Sequence, residues 1–256
     1  MRDPHGHRRG LLWVVAVALI VQPAFADEPK PPDVDAVLAK LDDLYRSTSS
    51  IARVELVVVT PRSTRTMRVK AWTRGEDKAL IVVESPSRDA GTATLRVGEN
   101  LWMYLPRVAK TMRIPPSMML GSWMGTDFTN DDLVKESSLR KDFVARIDKR
   151  SSSPAGWWLT LTAKPGVVGR WARIDLLVSD DMLPVEERHY DRKLRLARTL
   201  TFDTVKKLSG RTLPTRMVVT PAGETDKRTE LTYGELALDV DVPESTFSLS
   251  RLERKR

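Results

Sequence analysis

The sequence predicts a mainly β protein of the α+β class, built from one long antiparallel sheet with helices over its concave face. About twelve short segments rich in β-branched and aromatic residues are separated by turns of a few residues, which is typical of an antiparallel meander. One amphipathic helix precedes them, and no linker is long enough to separate two domains. Because strand twist accumulates across consecutive hairpins, such a sheet curves strongly and its concave face must be filled.

Residues 1–26 have the pattern of a secretory signal peptide. Three arginines precede an unbroken apolar run from Leu11 to Val21, and Ala24-Phe25-Ala26 supplies the small residues of a cleavage site. The apolar run is shorter than the roughly 20 residues of a membrane span. We therefore predict an exported chain that is cleaved after Ala26, with residues 27–256 as a single domain. A retained N-terminal anchor is the alternative.

The composition excludes several classes of function. The chain contains no cysteine, which excludes disulfides, a lipoprotein acylation site, a thiol nucleophile and cysteine-based zinc sites. Loss of residues 1–26 removes three arginines and one aspartate and lowers the formal charge from +8 to +6. Because this charge is scattered along an exported chain, we expect no nucleic-acid partner, whereas an anionic membrane surface is a reasonable one.

The first ordered element is predicted to be a helix. Asp33 is placed to cap it, and Asp35 in the first turn suits the helix dipole. The apolar residues have the spacing of one helical face: Val34, Val37, Leu38, Leu41, Leu44 and Tyr45. The helix is expected to end in the Ser47–Ser50 cluster.

The rest of the chain is predicted to be mostly strands. Along the second segment, Met67 and Val69 alternate with Arg68 and Lys70, so opposite faces of this strand differ in polarity. The predicted strands are Ile51–Thr60, Arg65–Arg74, Lys78–Glu84, Thr92–Val97, Leu101–Leu105, Lys110–Ile114, Phe143–Asp148, Trp157–Ala163, Ala172–Val178, Pro184–Tyr190, Ala197–Lys206, Leu213–Thr220 and Thr229–Leu236.

The stretch from Leu101 to Phe128 differs in composition, because it holds five of the nine methionines. Pro115-Pro116 ends a strand there. Ser117 could cap a short helix that is apolar on most sides, and Thr129–Asp132 resembles the cap of a second short helix. Methionine fills gaps in ordinary cores and also lines surfaces that accept partners of varying shape. This stretch is therefore either core or an apolar binding surface.

The sequence offers little catalytic chemistry. His189 is the one histidine beyond residue 26, and we expect it to be an exposed strand residue. No nucleophile elbow, phosphate-binding glycine loop or His-Glu-x-x-His motif occurs. The adjacent carboxylates Glu186 and Glu187 would point to opposite faces of a strand. We predict neither an enzyme nor a cofactor or metal site, and a hydrolase acting on envelope material ranks last among the alternatives.

Three stretches resemble a known family. The hairpin Leu101–Pro106 with Lys110–Ile114 looks like the family's "W-x-Y-x-P … K/R" hairpin. Ser122–Phe128 followed by Asp131–Leu133 is similar to its "GSDFTYEDL" stretch, and Val242–Ser248 looks like its closing "P-x-x-x-F". Together with the signal peptide, helix and meander, they resemble the outer membrane lipoprotein-sorting protein superfamily of LolA-like periplasmic carriers.

The resemblance implies an incomplete antiparallel β-barrel whose apolar hollow, covered by helices, holds lipid or the acyl chains of lipoproteins. Such a monomeric periplasmic carrier transfers cargo towards the outer membrane without catalysis. Its further partners would be an inner-membrane transporter or exporter and an outer-membrane acceptor. A sensor module that binds a membrane-anchored regulator or exporter is the alternative. The residues assigned to the lining and lid of the hollow are Leu56, Val58, Met67, Val69, Met103, Met112, Met118, Met119, Leu120, Trp123, Met124 and Phe128.

Overall fold

The structure is a computed structural model that describes residues 29–45, 47–134, 139–167 and 169–253, without the side chain of Val134. The signal peptide predicted at residues 1–26 lies outside the described residues. Pro31–Arg256 forms a compact unit of its own. No helix in the described part of the chain has the length and apolarity needed to cross a membrane.

Thirteen strands, four short α-helices and three 3₁₀ turns make up the described elements. The helices are α1 (Val34–Asp43), α2 (Asn130–Val134), α3 (Leu139–Asp142) and α4 (Leu249–Leu252). The strands are β1 (Ser49–Thr60), β2 (Ser63–Arg74), β3 (Lys78–Ser85), β4 (Ala93–Val97), β5 (Asn100–Leu105), β6 (Lys110–Arg113), β7 (Phe143–Ser152), β8 (Ala155–Ala163), β9 (Arg173–Ser179), β10 (Pro184–Tyr190), β11 (Leu196–Leu208), β12 (Arg211–Pro221) and β13 (Arg228–Leu238). Each overlaps a segment that the sequence predicts to be a strand.

All thirteen strands belong to one antiparallel sheet with the order β6-β5-β4-β3-β2-β1-β13-β12-β11-β10-β9-β8-β7. Strands β6 and β7 follow one another in the chain but lie at opposite edges, so the sheet is an incomplete barrel. The predicted fold class is confirmed. The described part of the connection between β6 and β7 lies over the concave face, where it contacts β4, β13 and β11.

Directly paired residues lie on the same face of a sheet, so the register defines the concave face. One row runs from Val58 through Thr229, Val219 and Leu200 to Glu187. Glu187 is paired in turn with Leu176 on β9, so the same face continues to that end of the sheet. The predicted alternation on β2 is confirmed.

Apolar residues cover both faces of the sheet. On the concave face, Leu56 and Met67 belong to a buried cluster centred on β1 and β2. At the other end of this face, Val37 and Leu38 of α1 pack on β8 and β9. The C-terminal segment covers the convex face of β3 and β4, where Phe247 is buried.

Helix α1 begins as predicted, because Asp33 accepts a 2.8 Å hydrogen bond from the backbone N–H of Ala36. It ends at Asp43, before the serine cluster, since Ser49 and Ser50 already belong to β1.

The helix predicted from Ser117 is wrong. Only Pro116–Met118 forms a single 3₁₀ turn, and irregular turns follow as far as Phe128. Met124 and Gly125 both have left-handed backbone angles, with φ of 52° and 73°, which a right-handed helix cannot include. The second predicted helix is present as α2.

Candidate functional site

The segment 115–134, here called the lid, covers the concave face of β1–β5. Trp123, the tryptophan of the lid, is 3% exposed and belongs to the same apolar cluster as Leu56 and Met67. Trp123 Nε1 donates a 3.0 Å hydrogen bond to Thr94 Oγ1 on β4. Met124 and Phe128 of the lid pack against the cluster from the same side. The lid therefore supplies the apolar filling that a closed barrel would obtain from its own strands.

Three side chains fasten the middle of the lid. The guanidinium of Arg65 on β2 donates to the carbonyl oxygen of Met124. Thr229 on β13 accepts a 2.9 Å hydrogen bond from the backbone N–H of Asp127 and donates a 2.8 Å bond to its carboxylate. Lys227 also approaches Asp127 at 3.2 Å. These contacts are polar and discrete, so they can be broken without disturbing the strands.

The end of the lid is held by an ion pair. Arg198 on β11 donates two hydrogen bonds to the Asp132 carboxylate, at 2.7 and 2.9 Å. Asp132 also accepts a 2.7 Å bond from the backbone N–H of Thr129, whose hydroxyl accepts from the Asp132 backbone N–H in a capping box. Burial raises the pKa of Asp132, but the charge and hydrogen bonds of Arg198 outweigh it, so the pKa lies below 3.8.

His189 lies beside this ion pair, and the prediction that it is exposed is wrong. It is 5% exposed, its Nε2 lies 2.7 Å from the Glu187 carboxylate, and its ring meets the edge of Trp171. Its Nδ1 lies 3.4 Å from Arg198. A neutral ring with the proton on Nε2 satisfies both contacts. Burial lowers the pKa of His189 below its ordinary value of 6.5, and the bond to Glu187 offsets part of that effect.

We expect the free energy of unfolding to fall as the pH drops below 6.5. The unfolded chain then binds a proton at His189 that the folded chain resists, at a slope of up to about 1.4 kcal/mol per pH unit. In a chain that starts at residue 27, His189 is the one histidine. Urea unfolding between about pH 8 and pH 5 should therefore lose most of its pH dependence in a His189→Gln variant. An unchanged slope in that variant would contradict the assignment.

Eight of the twelve residues predicted to line the hollow lie in one cluster beneath and within the lid. Five of them are buried in it and three are partly buried against it: Leu56, Val58, Met67, Val69, Trp123, Met103, Met124 and Phe128. Met119 packs in an adjoining cluster with Ile114. The remaining three, Met112, Met118 and Leu120, are 36%, 54% and 58% exposed. Met112 is paired with Met103 and lies on the same face of the sheet, at its open edge.

An open groove of about 690 Å³ lies where the lid meets the β1–β2 hairpin. Val58 contributes an apolar wall and Gly125 the lid side. The other lining residues are polar, basic or proline: Thr60, Ser63, Thr64, Arg65, Thr66, Pro86 and Arg88. The groove gives solvent access to one end of the covered apolar face.

The described residues offer little for catalysis. Among them, no three histidine, aspartate or glutamate side chains are grouped to hold a metal ion. Glu186 pairs with Arg188 on the convex face, whereas Glu187 pairs with His189 on the concave face. The two adjacent carboxylates therefore do not converge on one substrate position.

A family model with the description "Uncharacterized protein" matches residues 75–254. The chain belongs to this family. A search of the curated proteins found no match. Among solved structures, a DUF1329 family protein from Desulfovibrio piger is 24% identical with a TM-score of 0.76, and the match covers 85% of this chain and 96% of that one.

Two further solved structures have the same fold. A putative outer membrane lipoprotein-sorting protein domain from Vibrio parahaemolyticus is 22% identical, with a TM-score of 0.72 over 85% of this chain and 97% of that one. A LolA superfamily protein from Nitrosomonas europaea is 19% identical, with a TM-score of 0.72 over 86% and 100% of the two chains. The LolA-like fold inferred from the hairpin and lid motifs is confirmed.

Several site residues of this LolA-like chain were missed from the sequence. Arg65, Arg198 and Thr229 lie on separate strands and meet the lid only because the sheet brings them under it. The one available signal was in β10, where Glu187 and His189 are two residues apart and therefore share a face. Recognising that this face is covered requires the strand order.

Proposed function

We propose that this protein is a periplasmic carrier that binds lipid, or the acyl chains of a lipoprotein, on the concave face beneath the lid and transfers it towards the outer membrane without catalysis. The observation that carries the proposal is that the lid, irregular from Met119 to Phe128, fills this apolar face and is fastened by a few polar contacts. The proposed mature form is a monomer of residues 27–256, with an inner-membrane transporter or exporter as donor and an outer-membrane acceptor. The LolA-like fold supports the proposal.

The free energies of apolar burial allow an acyl chain to replace the lid on the concave face. Full burial of the Trp123, Met124 and Phe128 side chains would be worth about 5–9 kcal/mol, at about 1.5–3 kcal/mol each. The closed lid gains less than this, because Met124 and Phe128 are only partly buried. An acyl chain that buries about fourteen methylenes gains about 11 kcal/mol at about 0.8 kcal/mol per methylene. The two free energies are of similar size, so the exchange of the lid for an acyl chain can be reversible, as a carrier requires.

The closed lid also leaves polar atoms unsatisfied. Within the described residues, Arg198 Nε and Asn130 Oδ1 are buried without a hydrogen-bond partner. Each such atom costs about 1–3 kcal/mol. This cost weakens the closed state, and opening of the lid would relieve it. Methionines such as Met67 and Met103 suit a lining that must fit chains of different length and unsaturation.

Lipid binding is the measurement that tests the proposal. We expect organic extraction of the purified chain followed by mass spectrometry to find bound lipid, and a fluorescent fatty acid to bind the delipidated chain. Met103→Gln places an amide on the proposed lining at a partly exposed position, so it should weaken binding while the circular dichroism spectrum is retained. Leu194→Gln, at a 60% exposed position in the turn between β10 and β11, is the matched control. Absence of both co-purified lipid and fatty-acid binding would refute the carrier.

A further inference from the structure

A second segment with apolar side chains lies at the open edge of the sheet. It begins after β5 and runs through the edge strand β6 into the start of the lid, and we call residues 107–120 the edge strip. Four of its side chains are exposed although they are large and apolar: Val108 at 65%, Met112 at 36%, Met118 at 54% and Leu120 at 58%. Such residues scattered singly are ordinary, whereas these four are concentrated within fourteen positions.

The same strip is positively charged. Arg107, Lys110 and Arg113 are all exposed, and no acidic residue occurs between positions 100 and 126. Arg113 donates to the side-chain oxygen of Asn100, and Arg107 and Lys110 form no ion pair with the described residues. One carboxylate touches the strip, where Thr111 donates a 2.6 Å hydrogen bond to Glu253.

Protection of a sheet edge explains only half of this pattern. Strand β6 is an edge strand, and lysine or arginine on an edge discourages pairing with another sheet. That role would favour polar neighbours, whereas Val108 lies at the tip of the hairpin and Leu120 lies on a turn beyond the strand. Neither exposed apolar side chain protects an edge.

We propose that the edge strip docks on the surface of an anionic lipid bilayer. Its cations match lipid phosphates, and its exposed apolar side chains suit the boundary between headgroups and acyl chains. Val108, Met118 and Leu120 project from a hairpin tip and turns, and Met112 projects from the edge strand β6. Such an irregular set of side chains fits a deformable surface better than the surface of a folded partner. The strip leads directly into the lid, so docking would place the lid over the bilayer.

Vesicle sedimentation tests the surface independently of cargo binding. The chain from residue 27 onward contains the whole compact unit and lacks the apolar N-terminal run, which would itself bind lipid. We expect it to bind vesicles of phosphatidylethanolamine and phosphatidylglycerol, to bind phosphatidylcholine vesicles weakly, and to be released by salt. Removal of two cations in Arg107→Gln/Lys110→Gln should lower binding about 25-fold, at about fivefold per cation.

Matched control variants test whether vesicle binding depends on the edge strip or on positive charge and exposed apolar side chains anywhere on the protein. Val108→Ser/Leu120→Ser should also lower binding to the anionic vesicles. Lys206→Gln/Lys207→Gln and Leu194→Ser/Val205→Ser remove exposed cations and exposed apolar side chains elsewhere, and they should bind like the parent chain. If these controls lose as much binding as the strip variants, or if the parent chain does not bind anionic vesicles, the proposal is overturned. A strip that binds a protein but no vesicle would overturn it as well.

Failure of this proposal is distinguishable from failure of the carrier. Arg107→Gln/Lys110→Gln alters residues outside the lid and the hollow, so fatty-acid binding measured without vesicles should stay unchanged. Loss of vesicle binding with retained fatty-acid binding assigns the strip to docking. Parallel loss of both would show that the strip belongs to the cargo site and would refute a separate docking surface.

Discussion

Replacing Arg198 by methionine is expected to lower the free energy of unfolding by about 3–5 kcal/mol, the usual effect of removing one partner from a buried ion pair. The side chains of Arg198 and Asp132 are only 8% and 16% exposed. Without the guanidinium, the Asp132 carboxylate stays in a poorly solvated position beneath the sheet, with Glu187 as a second carboxylate near the same site. Urea unfolding followed by circular dichroism measures the loss.

Two further variants test whether burial of the Arg198–Asp132 pair causes the loss of stability. Asp132→Asn combined with Arg198→Met removes both charges of the pair and should recover part of the stability, because the Asp132 carboxylate is no longer buried without its partner. Arg146→Met removes the partner of Asp148 in an exposed pair, with 66% and 43% exposed side chains, and should change stability by less than about 1 kcal/mol. Equal losses in Arg198→Met and Arg146→Met would show that the cluster under the lid does not differ from a surface pair.

The lid contributes to this measurement, because Asp132 belongs to it. If the lid can leave the sheet without global unfolding, Arg198→Met should speed hydrogen exchange at the lid amides that bond within it. The N–H of Trp123, bonded to Phe128 at 2.8 Å, and the N–H of Asn130, bonded to Gly121 at 3.0 Å, are suitable probes. Strand amides of β1 should keep their protection.

Local patterns in the sequence predicted the strands and the first helix well. Period-two alternation on β2 placed Met67 and Val69 on one face without any tertiary information, and they are 0% and 4% exposed. Asp33 fixed the start of α1 in the same way, since capping depends on residues three apart. Curvature and openness of the sheet followed from hairpin order and strand twist.

The predictions that failed concern features that depend on contacts between residues distant in sequence. Strand β1 pairs with β13, almost 180 residues away, so the centre of the sheet could not be found from neighbouring hairpins. The helix predicted at 117–124 had suitable apolar residues, but Gly121 and Gly125 and the contacts to Thr94 and Arg65 favour an irregular path. His189 was predicted to be exposed because its neighbours in the chain are polar. It is buried because Trp171 and Arg198 pack against it.

The clearest expected effect on function comes from locking the lid. Because the chain contains no cysteine, an engineered pair has no competing thiols. Thr229 Oγ1 lies 2.9 Å from the backbone nitrogen of Asp127 and 2.8 Å from its carboxylate, so cysteines at these two positions lie close enough to form a disulfide that joins the lid to β13.

In oxidised Asp127→Cys/Thr229→Cys, we expect fluorescent fatty-acid binding to fall by more than about tenfold, which corresponds to about 1.4 kcal/mol. The apparent affinity falls with the fraction of molecules whose lid can open, and a cross-link removes that fraction. Reduction of the same sample should restore binding, which excludes misfolding as the cause. A matched pair across β1 and β2, Ser50→Cys/Thr73→Cys, replaces hydroxyls 2.6 Å apart and leaves the lid free. Its oxidation should not alter binding. If the locked lid binds as tightly as the reduced one, the acyl chain does not enter beneath the lid, and the groove of Val58, Arg65 and Arg88 becomes the site to test.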